Sequence, residues 1–171
     1  VSDMRDEMRE LLASWRAVPA FLCDRHFTVV ASNTAASAVS PAFVEGTNLA
    51  RFAYLEPDVD RNHAMWPEAS SQVAALLRES LDEHEADPSF HTIVGELSAH
   101  SRDFSVAWAD DARTARTRGV IPFDETPVGS IVLAYQLLTV PGDDHDVLFV
   151  WHPVDDESRE ALRQLLALLE E

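Results

Sequence analysis

Seven histidines and a single cysteine are the side chains in this chain best suited to metal or nucleophilic chemistry. His145 and His152 flank one apolar run, and Cys23 and His26 flank a short polar link. No H-E-x-x-H is present, and a lone cysteine cannot build a Cys-rich zinc site. The histidines therefore read as surface or strand-end residues, and no metal is expected. Cys23 and His26 have the composition of a thiol–imidazole pair. Cys23 closes the apolar run Ala20-Phe21-Leu22-Cys23, however, where a free cysteine behaves as a small inert hydrophobe. Serines are plentiful, but no G-x-S-x-G elbow occurs. The five glycines form neither a P-loop nor a G-x-G-x-x-G turn, so nothing cradles a phosphate. The acidic pairs Asp110-Asp111 and Asp143-Asp144 fall in turn-like segments, where solvation explains them better than paired acid–base work. No catalytic set at workable spacing emerges, so neither an enzymatic activity nor a cofactor is expected.

What remains is apolar. Phe21, Phe27, Phe52, Trp66, Leu77 and Leu97 fall on faces that should point inward. So do Trp108, Leu133, Tyr135, Phe149 and Trp151. These residues form an ordinary packed core, or a subset of them lines a cavity between a sheet and the helices in the middle of the chain. Small-molecule sites of that kind are mostly apolar, with a few polar anchors and a volume of roughly 300–1,000 Å³. The anchors on offer are Asn33, Arg51, Tyr135 and His152.

The elements that must position these residues follow from periodicity. Met4, Met8, Leu11 and Trp15 make a narrow seam on a helix over residues 3–17, which Leu12 widens. That helix either packs on its own domain or leads in from an upstream one as a connector or dimer helix. Pro19 ends it. Ala20–Cys23 and His26–Ala31, joined by Asp24-Arg25, read as a hairpin. Asn33 can cap a short helix over 34–39. Leu49, Phe52, Ala53 and Leu55 suggest another, stopped before Pro57. Residues 66–85 make the strongest helix, with Pro67 in its first turn and Val73, Leu76, Leu77 and Leu81 on its apolar face. Phe90, Ile93, Val94 and Leu97 mark a second helix, and Ser101 can cap a third carrying Phe104, Ala107 and Trp108. From about residue 113 the period changes to two. Thr117–Phe123 reads as a strand, and Thr126-Pro127-Val128-Gly129 as a turn. Ile131, Leu133, Tyr135 and Leu137 then alternate on one face of the next strand. Pro141-Gly142-Asp143-Asp144 is a turn. Val147–Trp151 is apolar throughout, as a central strand would be, and residues 155–169 close the chain as a helix. Strands at both ends of a helical middle predict an antiparallel α+β domain.

The chain has 171 residues, 46% of them hydrophobic, enough for one domain with its own core. The formal charge is −17, which excludes direct binding to a duplex, since DNA binding depends on Lys and Arg displacing counterions. The acidity serves solubility, or keeps a sensor off the DNA that a partner domain binds. No apolar run is long enough to span a membrane, and no signal peptide opens the chain. With one cysteine there is no internal disulfide, which suits the cytoplasm. The start at Val1 suggests a piece of something longer.

An ordered set of motifs resembles a known family. Val18-Pro-Ala-Phe-Leu, then Phe27-Thr-Val-Val-Ala-Ser-Asn33-Thr-Ala-Ala, looks like its opening hairpin and Asn-containing turn. Asn48-Leu-Ala-Arg-Phe-Ala-Tyr-Leu-Glu-Pro57 looks like its N-L-x-R segment. Trp66 with the helix through Leu77-Arg78, Glu96-Leu-Ser, and Ser101-Arg-Asp-Phe-Ser-Val-Ala-Trp108 match its middle helices. Pro127-Val-Gly129, Leu133-Ala-Tyr135 and Leu138-Thr-Val-Pro141 match its closing strands. The chain resembles the MmyB-like ligand-binding domain, which follows an XRE-type helix-turn-helix in bacterial regulators. The departures are Ser32, Asp110-Asp111 and Thr126, where the family often has Trp, His and His; they imply altered polar contacts with a ligand, or a pocket that has lost it.

The resemblance implies a PAS-like fold, an antiparallel sheet with helices over one face, in residues 18–171, with residues 1–17 as connector or dimer helix. It implies a sensor of a small hydrophobic or amphipathic molecule, working as a homodimer in the cytoplasm and reaching DNA only through an upstream helix-turn-helix domain. The expected ligand contacts are the aromatic and leucine residues named above together with Asn33 and Arg51. The alternative is a ligand-free dimerisation module of the same regulator.

Overall fold

The computed structural model describes residues 3–110 and 113–170; Val1 and Asp111 of the sequence reading lie outside the described residues. The chain divides into two compact units. One runs up to Asp24 and includes Thr28–Thr47 and the chain from Thr117 on; the other comprises Arg25–Phe27 and Asn48–Arg116.

The first unit is built on five strands: β1 (Ala20–Cys23), β2 (Val29–Ser32), β3 (Arg118–Thr126), β4 (Gly129–Thr139) and β5 (Val147–Pro153). They form one sheet in the order β2-β1-β5-β4-β3, every pair antiparallel. The uninterrupted apolar run of β5 is thus central, as its composition predicts. Register sorts the side chains. Phe21 pairs with Phe149, Trp151 with Tyr135, and Tyr135 with Gly119, so these residues share one face. Ala20, Leu22 and Leu148 point to the other.

That other face is covered by helix α1 (Asp3–Ser14), which ends a turn earlier than its periodicity suggests. Leu12, fully buried, packs on Ala20, Leu22, Ala31, Val140 and Leu148, with Met8 and Trp15 beside it. The expected seam is corrected here: Met4 and Leu11 are exposed. Adjacent Leu11 and Leu12 lie about 100° apart on a helix, so only one can meet the sheet, and the i, i+4, i+7 stripe of Met8, Leu12 and Trp15 does so. Arg5 fastens the helix further. Its Nε and Nη2 donate to the buried Asp146 carboxylate at 2.8 and 2.9 Å, which raises the guanidinium pKa.

Asn33 caps helix α2 (Thr34–Val39) as expected, its Oδ1 accepting from Ala36 N at 2.9 Å. A 3-10 turn, Pro41–Phe43, follows. Helix α7 (Asp156–Leu168), capped by Asp155, buries Leu162 and Leu165 against β4, β5 and α2. Its Ser158 hydroxyl accepts from Val132 N at 3.0 Å.

The second unit holds α3 (Leu49–Leu55), α4 (Trp66–Glu83), α5 (Ser89–His100) and α6 (Arg102–Ala109). Asn48 and Ser101 cap α3 and α6. α4 packs on α3 and α6, and α5 on the same two. The apolar face expected of α4 is corrected: its buried positions are Ser70, Gln72, Ala74, Ala75 and Leu77, while Val73, Leu76 and Leu81 are half-buried. Small side chains let neighbouring helices approach closely, a demand that hydrophobic periodicity does not report. The hairpin reading is also adjusted, since β2 begins at Val29 and Phe27 takes a left-handed φ of 64° in the turn. No helix among the described residues is long and apolar enough to cross a membrane.

Candidate functional site

In the sheet unit, Phe21, Leu133, Tyr135, Phe149 and Trp151 lie together on one face. Phe21 stacks on Phe149 with centroids 4.7 Å apart, and Trp151 lies 5.1 Å from Tyr135. Two rings that the sequence reading did not include complete the cluster. Phe43, from the 3-10 turn, stacks on Phe21 at 4.4 Å and reaches Trp151 at 5.1 Å. Phe123, from β3, meets Trp151 edge-on at 5.4 Å. Phe43 lies in a three-residue element too short for any period. Phe123 was legible through its alternation with Ile121 and Gly119. None of these rings carries a charge, and Cys23, on the same face, is fully buried, which pushes its thiol pKa well above the ordinary value. The face is apolar and largely buried.

Of the expected polar anchors, Tyr135 lies on this face, while Asn33 and His152 serve elsewhere. Asn33 is buried, but both ends of its amide serve the backbone. Oδ1 also accepts from Ala20 N at 3.2 Å, and Nδ2 donates to Leu12 O, Trp15 O and Val18 O at 3.2, 3.2 and 2.7 Å. His152 is corrected as an anchor. Strand alternation turns it away from Trp151 onto the opposite face, where it is exposed.

The helical unit has an aromatic cluster of its own. Tyr54, Trp66, Phe104 and Trp108 meet in sequence, with centroid distances of 5.6 Å for Tyr54–Trp66, 5.3 Å for Tyr54–Phe104 and 5.4 Å for Phe104–Trp108. Arg78 lies over Trp108 at 4.3 Å, a cation–π contact. Trp66 and Trp108 were expected at a site; Tyr54 and Phe104 were not, although Phe104 and Trp108 are one helical turn apart. The Tyr54 hydroxyl donates to Ser70 O at 2.7 Å, and burial pushes its pKa to about 12. The Trp66 indole donates to Ala53 O at 3.1 Å. Phe27, Leu77 and Leu97 are buried and Phe52 half-buried. Arg51 is exposed and pairs with Glu96 at 2.7 Å. The Gln72 Oε1 accepts from Arg116 N at 2.8 Å, while its buried Nε2 has no partner.

Among the described residues, no three His, Cys, Asp or Glu side chains form a group able to hold a metal ion. In the sheet unit, α7 and residues 16–17 border an open groove of about 530 Å³ with Leu162 and Leu166 in its lining. Two of its three lining arginines, Arg159 and Arg163, are paired with Asp156 and Glu160.

An antiparallel sheet in the order 2-1-5-4-3, with five α-helices among the described residues between β2 and β3, defines a PAS-like α+β fold. The family model for the MmyB-like transcription regulator ligand binding domain matches residues 4–165, and the chain belongs to that family. Among solved structures, the PAS domain of Bordetella pertussis BvgS is similar, with 16% identity, coverage of 98% of each chain and a TM-score of 0.41. No curated protein matches the chain.

Proposed function

We propose that this ligand-binding domain senses a small lipophilic molecule for a bacterial transcription regulator, without enzymatic turnover. The observation that carries the reading is the uncharged aromatic face around Trp151, made by Phe21, Phe43, Phe123, Tyr135 and Phe149. A ligand that binds two conformations with different affinity shifts their populations. In this reading the shift is passed through α1, the connector within residues 1–17, to an upstream helix-turn-helix domain in the cytoplasm. The net charge of −17 supports leaving DNA contact to that domain.

A second reading, a dimerisation module, is favoured by one observation. Met4 and Leu11, seven residues apart on one side of α1, are exposed rather than packed on the sheet. Across a two-fold axis such a stripe would meet its own copy.

Denaturing mass spectrometry of a solvent extract, beside the native mass, separates the two. A stoichiometric lipophilic molecule is the expected result. An empty protein with a dimeric mass, and no binding of apolar probes, would leave only the interaction module.

A further inference from the structure

Trp151 carries a feature that its neighbours do not explain. It is 2% exposed, and its indole Nε1 is buried with no hydrogen-bond partner. The contrast with Trp66, whose indole reaches Ala53 O, shows that this fold can supply an acceptor where one is wanted. An indole N–H can only donate, and buried donors are nearly always paired. Four rings surround this one: Phe43, Phe123 and Tyr135 within 5.4 Å, and Phe21 at 6.5 Å. Phe123 is half-buried and sits on β3, the edge strand of the sheet, next to a shift in the ladder between Phe123 and Thr126. It is the ring in this set with the most freedom to move aside.

We infer that the indole N–H of Trp151 is the polar anchor of the sensed molecule, which is an apolar compound bearing a neutral hydrogen-bond acceptor such as a ketone, ester or ether oxygen. This rests on the sensor reading above and narrows its ligand class. The acceptor is neutral because the rings around Trp151 offer no countercharge, and an unpaired carboxylate among them would lose its hydration without compensation. The acceptor satisfies a donor that is otherwise buried and unpaired, so its presence adds affinity beyond the apolar chain.

The test uses three probes of ten carbons: 2-decanone, n-decane and decanoate. The whole domain is labelled with ¹⁵N-tryptophan, and each probe is titrated while the four indole resonances are followed. The expected result is a downfield shift of the Trp151 indole proton with 2-decanone only. The ketone should bind about tenfold more tightly than the alkane, and Trp151→Phe should abolish that advantage of ketone over alkane. If Trp151→Phe does not fold, the resonance is assigned by elimination from Trp15→Phe, Trp66→Phe and Trp108→Phe, and the shift in the native protein decides. Equal binding of ketone and alkane with an unmoved Trp151 resonance overturns the anchor and leaves the sensor reading standing. Tightest binding by decanoate overturns the neutral acceptor. Failure of every probe to bind, with an empty solvent extract, overturns the sensor reading itself and this inference with it.

Discussion

The phenol of Tyr135 occupies the space that a side chain at Gly119 would need. A Cβ built on Gly119 comes within 2.7 Å of the Tyr135 hydroxyl and 2.8 Å of the ring carbons beside it. The two residues face each other across β3 and β4, and Tyr135 is held from its other neighbours by Trp151 and Phe149. Trp151 and Phe149 pack beside the ring, so a side chain at Gly119 would have to displace it against them. Gly119→Ala should therefore destabilise the domain by about 2 kcal/mol through overpacking. Tyr135→Leu should relieve most of that cost, so a double-mutant cycle by urea denaturation should show coupling of about 1 kcal/mol or more. Additive effects would mean that the ring moves aside without penalty.

Asn33 joins β2 to α2 and also ties down the chain leaving α1. Its Nδ2 faces the carbonyls of Leu12, Trp15 and Val18, and its Oδ1 faces the amides of Ala20 and Ala36. Asn33→Ala strands these buried groups and should cost about 3 kcal/mol. Asn33→Asp keeps the cap but points a carboxylate at three carbonyl oxygens. It should be at least as damaging near neutral pH, and partly rescued in acid, where protonation restores a donor. Thermal unfolding of both variants from pH 4 to 8 checks this. An aspartate variant as stable as the native protein would contradict the assigned geometry.

Much of this architecture could be read locally. The caps at Asn33 and Ser101, the Pro67 helix start, the alternation of Ile131, Leu133 and Tyr135, and the central β5 all follow from residue type and spacing. What was hidden depends on partners. The choice between Leu11 and Leu12 on α1 is made by Ala20, Leu22 and Leu148, which lie on other elements. Ser70 and Ala74 are buried on α4, which packs on α3 and α6, and Gln72 is buried while accepting from Arg116 N, none of which hydrophobicity reports. Phe43 belongs to the aromatic cluster only because a 3-10 turn carries it there. His152 looked like an anchor until the ladder register set it on the opposite face from Trp151.

Arg5 and Asp146 should matter more than an ordinary surface pair. Asp146 is 3% exposed and receives both Arg5 donors, so removing the guanidinium leaves a buried carboxylate short of partners. Arg5→Ala should cost about 2 kcal/mol. The partial exposure of Arg5 keeps this below the cost of a fully buried pair. Arg5→Lys should recover only part of it, since lysine cannot reproduce the two-pronged contact. Chemical denaturation of both variants gives the comparison, and an unchanged Arg5→Ala protein would refute it.

Tyr54 gives the domain an alkaline limit. Burial raises its pKa from an ordinary 10.0 to about 12 in the folded state, so the folded protein holds the phenol proton more tightly than the unfolded chain does. The resulting stability is complete below pH 10 and is lost as pH rises towards 12. Stability should decline across that window, and Tyr54→Phe should flatten the decline while losing the hydrogen bond to Ser70 O. Ultraviolet titration of the phenolate beside the unfolding curve tests the sign; a Tyr54 that ionises near pH 10 would reverse the argument.

Cys23 turns the aromatic face into something measurable. It lies two residues from Phe21 on the same side of β1, is fully buried, and is the only cysteine in the chain. Attack on a disulfide reagent needs a thiolate, and burial both raises the thiol pKa and blocks the reagent. Labelling at pH 8 should therefore be slower than in urea by a factor of about 1,000 or more, limited by opening of the sheet unit. Gly119→Ala and Asn33→Ala should speed it in proportion to the stability each removes, because both increase the open population. Rapid labelling of the native protein would mean that this face admits solvent, and the apolar binding surface proposed around Trp151 would have to be redrawn.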